Sequence, residues 1–181
     1  RHLRRPAAGP VEADDPAGLR EAWPALERSW TATLDRAATM PDGTTEASVA
    51  GEWSLAQTLR HLVMATDLWL GKAVLGLAEP FHPLGLPHDD GGEGSPAYDE
   101  SVFSRADATF EEVLAVRADR QRLVRDHLAT VTSDDLARTC ATPHAPEHAE
   151  TVLSCLHTIL EEEWEHHRYA VRDLDHLEAP K

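Results

Sequence analysis

Cysteine is scarce in this chain: Cys140 and Cys155 stand alone, and their spacing fits neither a disulfide scaffold nor a paired Cys-x-x-Cys metal site. Both are expected to be reduced, and the first residues, RHLRRPAAGPVEADDP, lack the apolar core of a signal peptide, so the expected location is cytoplasmic. Basic charge is also short. Lys and Arg number 17 against 32 Asp and Glu, a formal net charge of -15, and such a surface repels phosphate backbones. No nucleic-acid partner is therefore expected. No apolar run approaches the length needed to cross a bilayer, so no membrane partner is expected either. Gly and Pro are too few for a fibre or a disordered chain, nothing recurs at a solenoid period, and no stretch alternates convincingly as a strand.

What is present is helical periodicity. The chain has 181 residues, 41% of them apolar, enough for one sizeable core. We expect a flexible arm over residues 1–14 and a single domain over 15–178, interrupted by a long Pro- and Gly-rich loop at about 79–97. Asp15-Pro16 reads as a cap and first turn for a helix through Trp23, Leu26, Trp30 and Leu34. Ser54 with Gln57, and Thr109 with Glu112, each have capping-box spacing and open two more helices. The segment from Ser133 to Leu136 reads as one capped turn, and a last long helix is expected to start between Ala145 and Thr151 and to reach about Leu177. Four long amphipathic segments predict an all-α four-helix bundle, with helix order in space left open by the long linkers.

The last helix carries EEEWEHHRYAVRDLDHL over 161–177, an unusual sequence for an element that must bury a face. Its inward phase runs Val152, Leu156, Ile159, Glu163, His167, Ala170, Leu174. Glu163 and His167 are four residues apart, so one turn brings them together. A buried lone carboxylate must be neutralised, paired or bound to a cation. His61, on the second helix, is the natural third member, and His61, Glu163 and His167 are the expected metal ligands. Two imidazoles and one carboxylate with an open position suit catalytic zinc first, with nickel or iron also compatible. The bland reading pairs Glu163 with Arg60 or Arg168 and leaves the histidines as core or rim residues. Glu162 and His166 offer the same spacing one residue earlier, about 100 degrees around the helix, and rank second on phase.

The stretches WSLAQTLRHLVMATDLWL (53–70) and EEEWEHHRYAVRDL (161–174) resemble the DinB/YfiT-like superfamily of metal-binding four-helix bundles. The resemblance implies one ligand from the second helix, falling on His61, and two spaced four apart on the last, falling on Glu163 and His167. A carboxylate in the middle place is similar to the mycothiol-dependent maleylpyruvate isomerase branch. It implies a divalent metal cofactor and a mycothiol-type thiol as cosubstrate.

The leading expectation is thus a metal-dependent thiol transferase or isomerase acting on a small-molecule substrate. The alternatives are a metal-dependent hydrolase and a non-enzymatic binding or interaction module. Groups expected around the mouth of the site are His82, His88, His144, His148, Trp69 and Tyr169. No further catalytic residue is assigned: neither cysteine has a nucleophile's surroundings in the sequence, and Arg168, Arg172 and Asp173 read as a solvated charge run. A homodimer is the expected oligomer.

Overall fold

α1 (Pro16–Ala38) starts where Asp15 accepts a hydrogen bond from the Gly18 backbone at 2.7 Å, with Pro16 in the first turn, where its missing N–H costs no helix bond. The structure, a computed structural model, describes residues 13–88 and 95–179. Of the expected arm, residues 1–12 lie outside the described residues, as do 89–94 of the expected long loop.

α2 (Leu55–Thr66) opens with the reciprocal Ser54 and Gln57 bonds and continues without a break into a π-helical segment, Asp67–Val74. It ends there because Gly76 takes a positive φ of 63° and turns the chain away. α3 (Phe110–Thr130) carries the Thr109 and Glu112 capping box, and α4 (Ser133–Ala137) is the short capped turn expected, with Thr132 and Asp135 as its box. α5 (Val152–Glu178) closes the fold.

The fold is mostly helical, as expected, with one addition. β1 (Thr139–Thr142) and β2 (Ala145–Thr151) form an antiparallel hairpin directly before α5, where the sequence pattern predicts no strand. The hairpin is largely exposed and its register shifts between Ala141 and Thr142; burial alternates over only the four residues of β1 and not along β2, too short a signal for a sequence pattern to report.

α5 packs against α1 and α2, and α3 packs against the same two helices. The bundle core has two apolar clusters. One gathers Leu19, Trp23 and Leu26 of α1 with Val152, Leu156 and Ile159 of α5. The other gathers Trp30, Leu59, Leu62, Val113, Ala170 and Leu174. Burying each large apolar side chain contributes about 1.5–3 kcal/mol, so these stripes set the rotation of α5 and with it the direction of every polar group that interrupts them. Among the described residues, no helix is long and apolar enough to cross a membrane.

A candidate metal site between α2 and α5

The buried face of α2 includes His61, fully enclosed between Thr58, Leu62 and Ala65. Its Nδ1–H donates to the Leu86 carbonyl at 2.9 Å. That carbonyl is in place because the chain after the π-helical segment folds back along α2: Arg60 Nε donates to the Leu84 carbonyl at 2.7 Å, and Leu86 N–H donates to the Arg60 carbonyl at 3.2 Å. With Nδ1 so engaged, Nε2 points at α5.

There it meets Glu162, whose Oε2 lies 2.9 Å from His61 Nε2 and 3.1 Å from His166 Nε2. The donor atoms of His61, Glu162 and His166 all lie within 4.8 Å of one another. Burial raises the carboxyl pKa of Glu162, but the contacts from His166 and His61 outweigh it and hold the group well below the ordinary carboxylate range. An ionised carboxylate and two imidazole nitrogens therefore converge on one point.

The set fits a divalent cation. Around a tetrahedral ion with bonds of about 2.0–2.1 Å, neighbouring donors stand roughly 3.3 Å apart, within a few tenths of the two close separations here. The His61 contacts on Nδ1 and Nε2 are both hydrogen bonds only if both nitrogens carry protons. A cation beside Nε2 satisfies the same geometry with the single Nδ1 proton, in the manner of metal-bound histidines that donate their other N–H to a carbonyl.

Of the three expected ligands, only His61 lies in this cluster. Glu163 is buried as its phase predicts, at 1% exposure, but its partner is Arg117 of α3, itself 2% exposed. The guanidinium donates twice, from Nη1 to Oε1 at 2.7 Å and from Nη2 to Oε2 at 2.5 Å, and also stands 5.7 Å from the centre of the Trp30 ring. His167 turns toward α1, where its Nε2 reaches the Ser29 carbonyl at 3.2 Å and Thr33 Oγ1 at 2.8 Å and its ring meets Trp30 edge to face. Burial lowers its pKa, opposed by the Ser29 carbonyl and by the charge of Glu163. The two α5 side chains that share the cluster with His61 are thus Glu162 and His166, one residue before each expected ligand. The physical reason is that Glu163 faces a guanidinium and His167 faces α1.

His61 and Glu162 open onto a cavity of about 260 Å³ whose walls include Trp69, His88, Tyr98 and His144. A second cavity of about 310 Å³ reaches His166 from the side of Trp53 and Tyr169. Trp53, a wall of the second, has its ring 4.8 Å from His61, 5.8 Å from His88 and 6.0 Å from His166. Sequence reasoning misses Trp53; its place immediately before the Ser54 cap of the histidine-bearing helix is the available signal.

Of the expected mouth groups, His88, His144 and Trp69 line the first cavity and Tyr169 the second. His82 does not join them: its backbone N–H caps the buried Asp67 carboxylate. His148 is exposed beside Glu147 on β2. Arg172 is exposed and pairs with Glu52 and, at 2.8 Å, with Asp173, which is mostly buried in the wall of the second cavity.

The bundle and its cluster define a mostly helical protein with a candidate cation site of two imidazoles and one carboxylate facing a small-molecule-sized cavity. The chain belongs to the DinB superfamily, whose pattern matches residues 25–170. No curated protein and no solved structure matches it.

Proposed function

We propose that the protein is a divalent-metal-dependent enzyme of the thiol transferase or isomerase kind, with His61, Glu162 and His166 as ligands and a mycothiol-type thiol as cosubstrate. The observation that carries the reading is the convergence of those three donors, with His61 and Glu162 in the wall of a cavity, in a DinB superfamily bundle. The carboxylate in the middle ligand place is the feature similar to the mycothiol-dependent maleylpyruvate isomerase branch, and it now falls on Glu162.

A divalent cation here, zinc being the ion best matched to two nitrogens and one oxygen, supplies Lewis acidity that favours thiolate over thiol at neutral pH. The protein's own groups do the rest. The Leu86 carbonyl fixes the tautomer of His61, leaving Nε2 as a donor. Trp53 packs its ring against the flank of both imidazoles. His88, its ring centre 4.1 Å from that of His61, is the wall imidazole best placed to take up the thiol proton.

Elemental analysis of the purified protein tests the ligand set. The wild type and His167→Gln should carry metal, and Glu162→Ala and His61→Ala should not. Retention of metal in both alanine variants overturns the assignment. Loaded enzyme should then consume an electrophile such as maleylpyruvate at a rate set by added mycothiol; a rate indifferent to thiol overturns the transferase reading and leaves the metal site standing.

A further inference from the structure

The two cysteines, distant in sequence and unpromising there, are in contact in the fold. Cys140 Sγ on β1 lies 3.5 Å from Cys155 Sγ on α5, and both are free thiols. We propose that Cys140 and Cys155 are a modification site, closing reversibly into an intramolecular disulfide when the protein meets a peroxide.

The two positions are held before any bond forms. The Cys140 thiol also donates to the Glu150 carbonyl across the hairpin at 3.6 Å, and Cys140 and Glu150 are partners in the β1–β2 register. The Val152 N–H donates to the Arg138 carbonyl at 2.9 Å, which ties the base of the hairpin to the first turn of α5. Bond formation needs the sulfurs to approach by roughly 1.5 Å.

Accessibility gives the order of events. Cys140 is half-buried and Cys155 is fully buried. Burial, reinforced by the neighbouring Cys140, pushes the Cys155 thiol well up, so Cys155 is a poor first nucleophile toward an external oxidant. Cys140 reacts first: its sulfur takes one oxygen from the peroxide and becomes a sulfenic acid, and the rest of the peroxide leaves as water. Cys155 then attacks that sulfur, the S–S bond forms, and the hydroxyl departs with the Cys155 proton as a second water. The dithiol loses two electrons and the peroxide O–O bond gains them.

The cross-link fastens β1 to α5 at the strand leading into the turn that carries His144. That histidine is a wall of the first cavity, with Nδ1 3.0 Å from the Ser95 hydroxyl and its ring 6.2 Å from that of Trp69. Oxidation therefore stiffens one rim of the cavity without touching the three candidate ligands.

The test treats the full chain with hydrogen peroxide and reads mass, free thiols and non-reducing peptide maps. Expected is a monomer lighter by two hydrogens, with no free thiol, whose Cys140 and Cys155 peptides stay joined until dithiothreitol separates them. In Cys155→Ser, dimedone should trap a sulfenic acid on Cys140; in Cys140→Ser, the Cys155 thiol should survive. Cys140 oxidised to sulfinic acid beside an intact Cys155 thiol in the wild type, or disulfides only between chains, overturns the proposal. Hydrogen exchange should slow at the hairpin amides on oxidation, and an unchanged exchange pattern overturns the fastening.

Discussion

The guanidinium of Arg117 grips both carboxylate oxygens of Glu163 inside the bundle, joining α3 to α5, two helices whose main packing is against α1 and α2. Both side chains are almost fully buried, so neither charge has water as a substitute partner. Removing one side strands the other, and Glu163→Ala or Arg117→Ala should lower unfolding stability by about 3–5 kcal/mol in urea titration. Replacing both together, Arg117→Met with Glu163→Leu, should recover most of that loss. A single variant that unfolds at the wild-type urea concentration would show that the pair contributes nothing.

The same pair explains what the sequence can and cannot convey. Phase along α5 correctly marks Glu163 as buried, because burial depends on the helix alone. What Glu163 faces depends on which helix lies opposite, and consecutive side chains point about 100 degrees apart, so Glu162 meets α2 while Glu163 meets Arg117. The four-residue spacing is legible; choosing between its two registers requires helix order in space. Arg117 leaves a trace, since it shares the stripe of Val113, Val124 and Leu128 on α3, but arginine is seldom fully buried and the stripe alone does not mark it as core. The capping boxes at Ser54 and Thr109 are legible because their bonds join residues three apart. The hairpin is not, because its alternation covers only the four residues of β1 and β2 is mostly exposed.

Cation binding should be visible as stability. A ligand that binds only the folded chain adds about 2.7 kcal/mol at a hundred times its Kd. Zinc added to metal-free protein should therefore raise Tm in the wild type and in His167→Gln, and leave Tm unchanged in His166→Ala and Glu162→Gln. An equal rise in Glu162→Gln would move the cation elsewhere.

Metal-free protein should lose stability on mild acidification. Burial lowers the pKa of His127, aided by the nearby charge of Arg138 and opposed by Asp135, and burial lowers that of His167 as well. An imidazole with a depressed folded pKa is protonated first in the unfolded chain, which then binds more protons than the native state. Stability is therefore complete above the unfolded pKa of about 6.5 and declines as pH falls from there toward the folded value, by at most about 1.4 kcal/mol per pH unit for each group. Urea titrations from pH 7.5 to 5 should follow this slope, and His127→Gln should flatten it. A slope unaltered by that substitution would take His127 out of the account.

Gly85 tests how the site is held from behind. A Cβ at that position would meet the Phe103 ring at 3.1 Å and both the His82 carbonyl and Met64 Cβ at 3.2 Å, so the segment lies as close to α2 as a residue without a side chain allows. The next residue, Leu86, supplies the carbonyl that fixes His61. In Gly85→Ala the segment must lift by a few tenths of an ångström, costing about 1–3 kcal/mol of stability and lengthening the bond to His61 Nδ1. Loss of such a supporting bond weakens metal binding by roughly 10–100-fold. Zinc titration of Gly85→Ala should show that loss. Wild-type affinity in Gly85→Ala would mean that His61 is oriented by Trp53 and its own helix, without the Leu86 carbonyl.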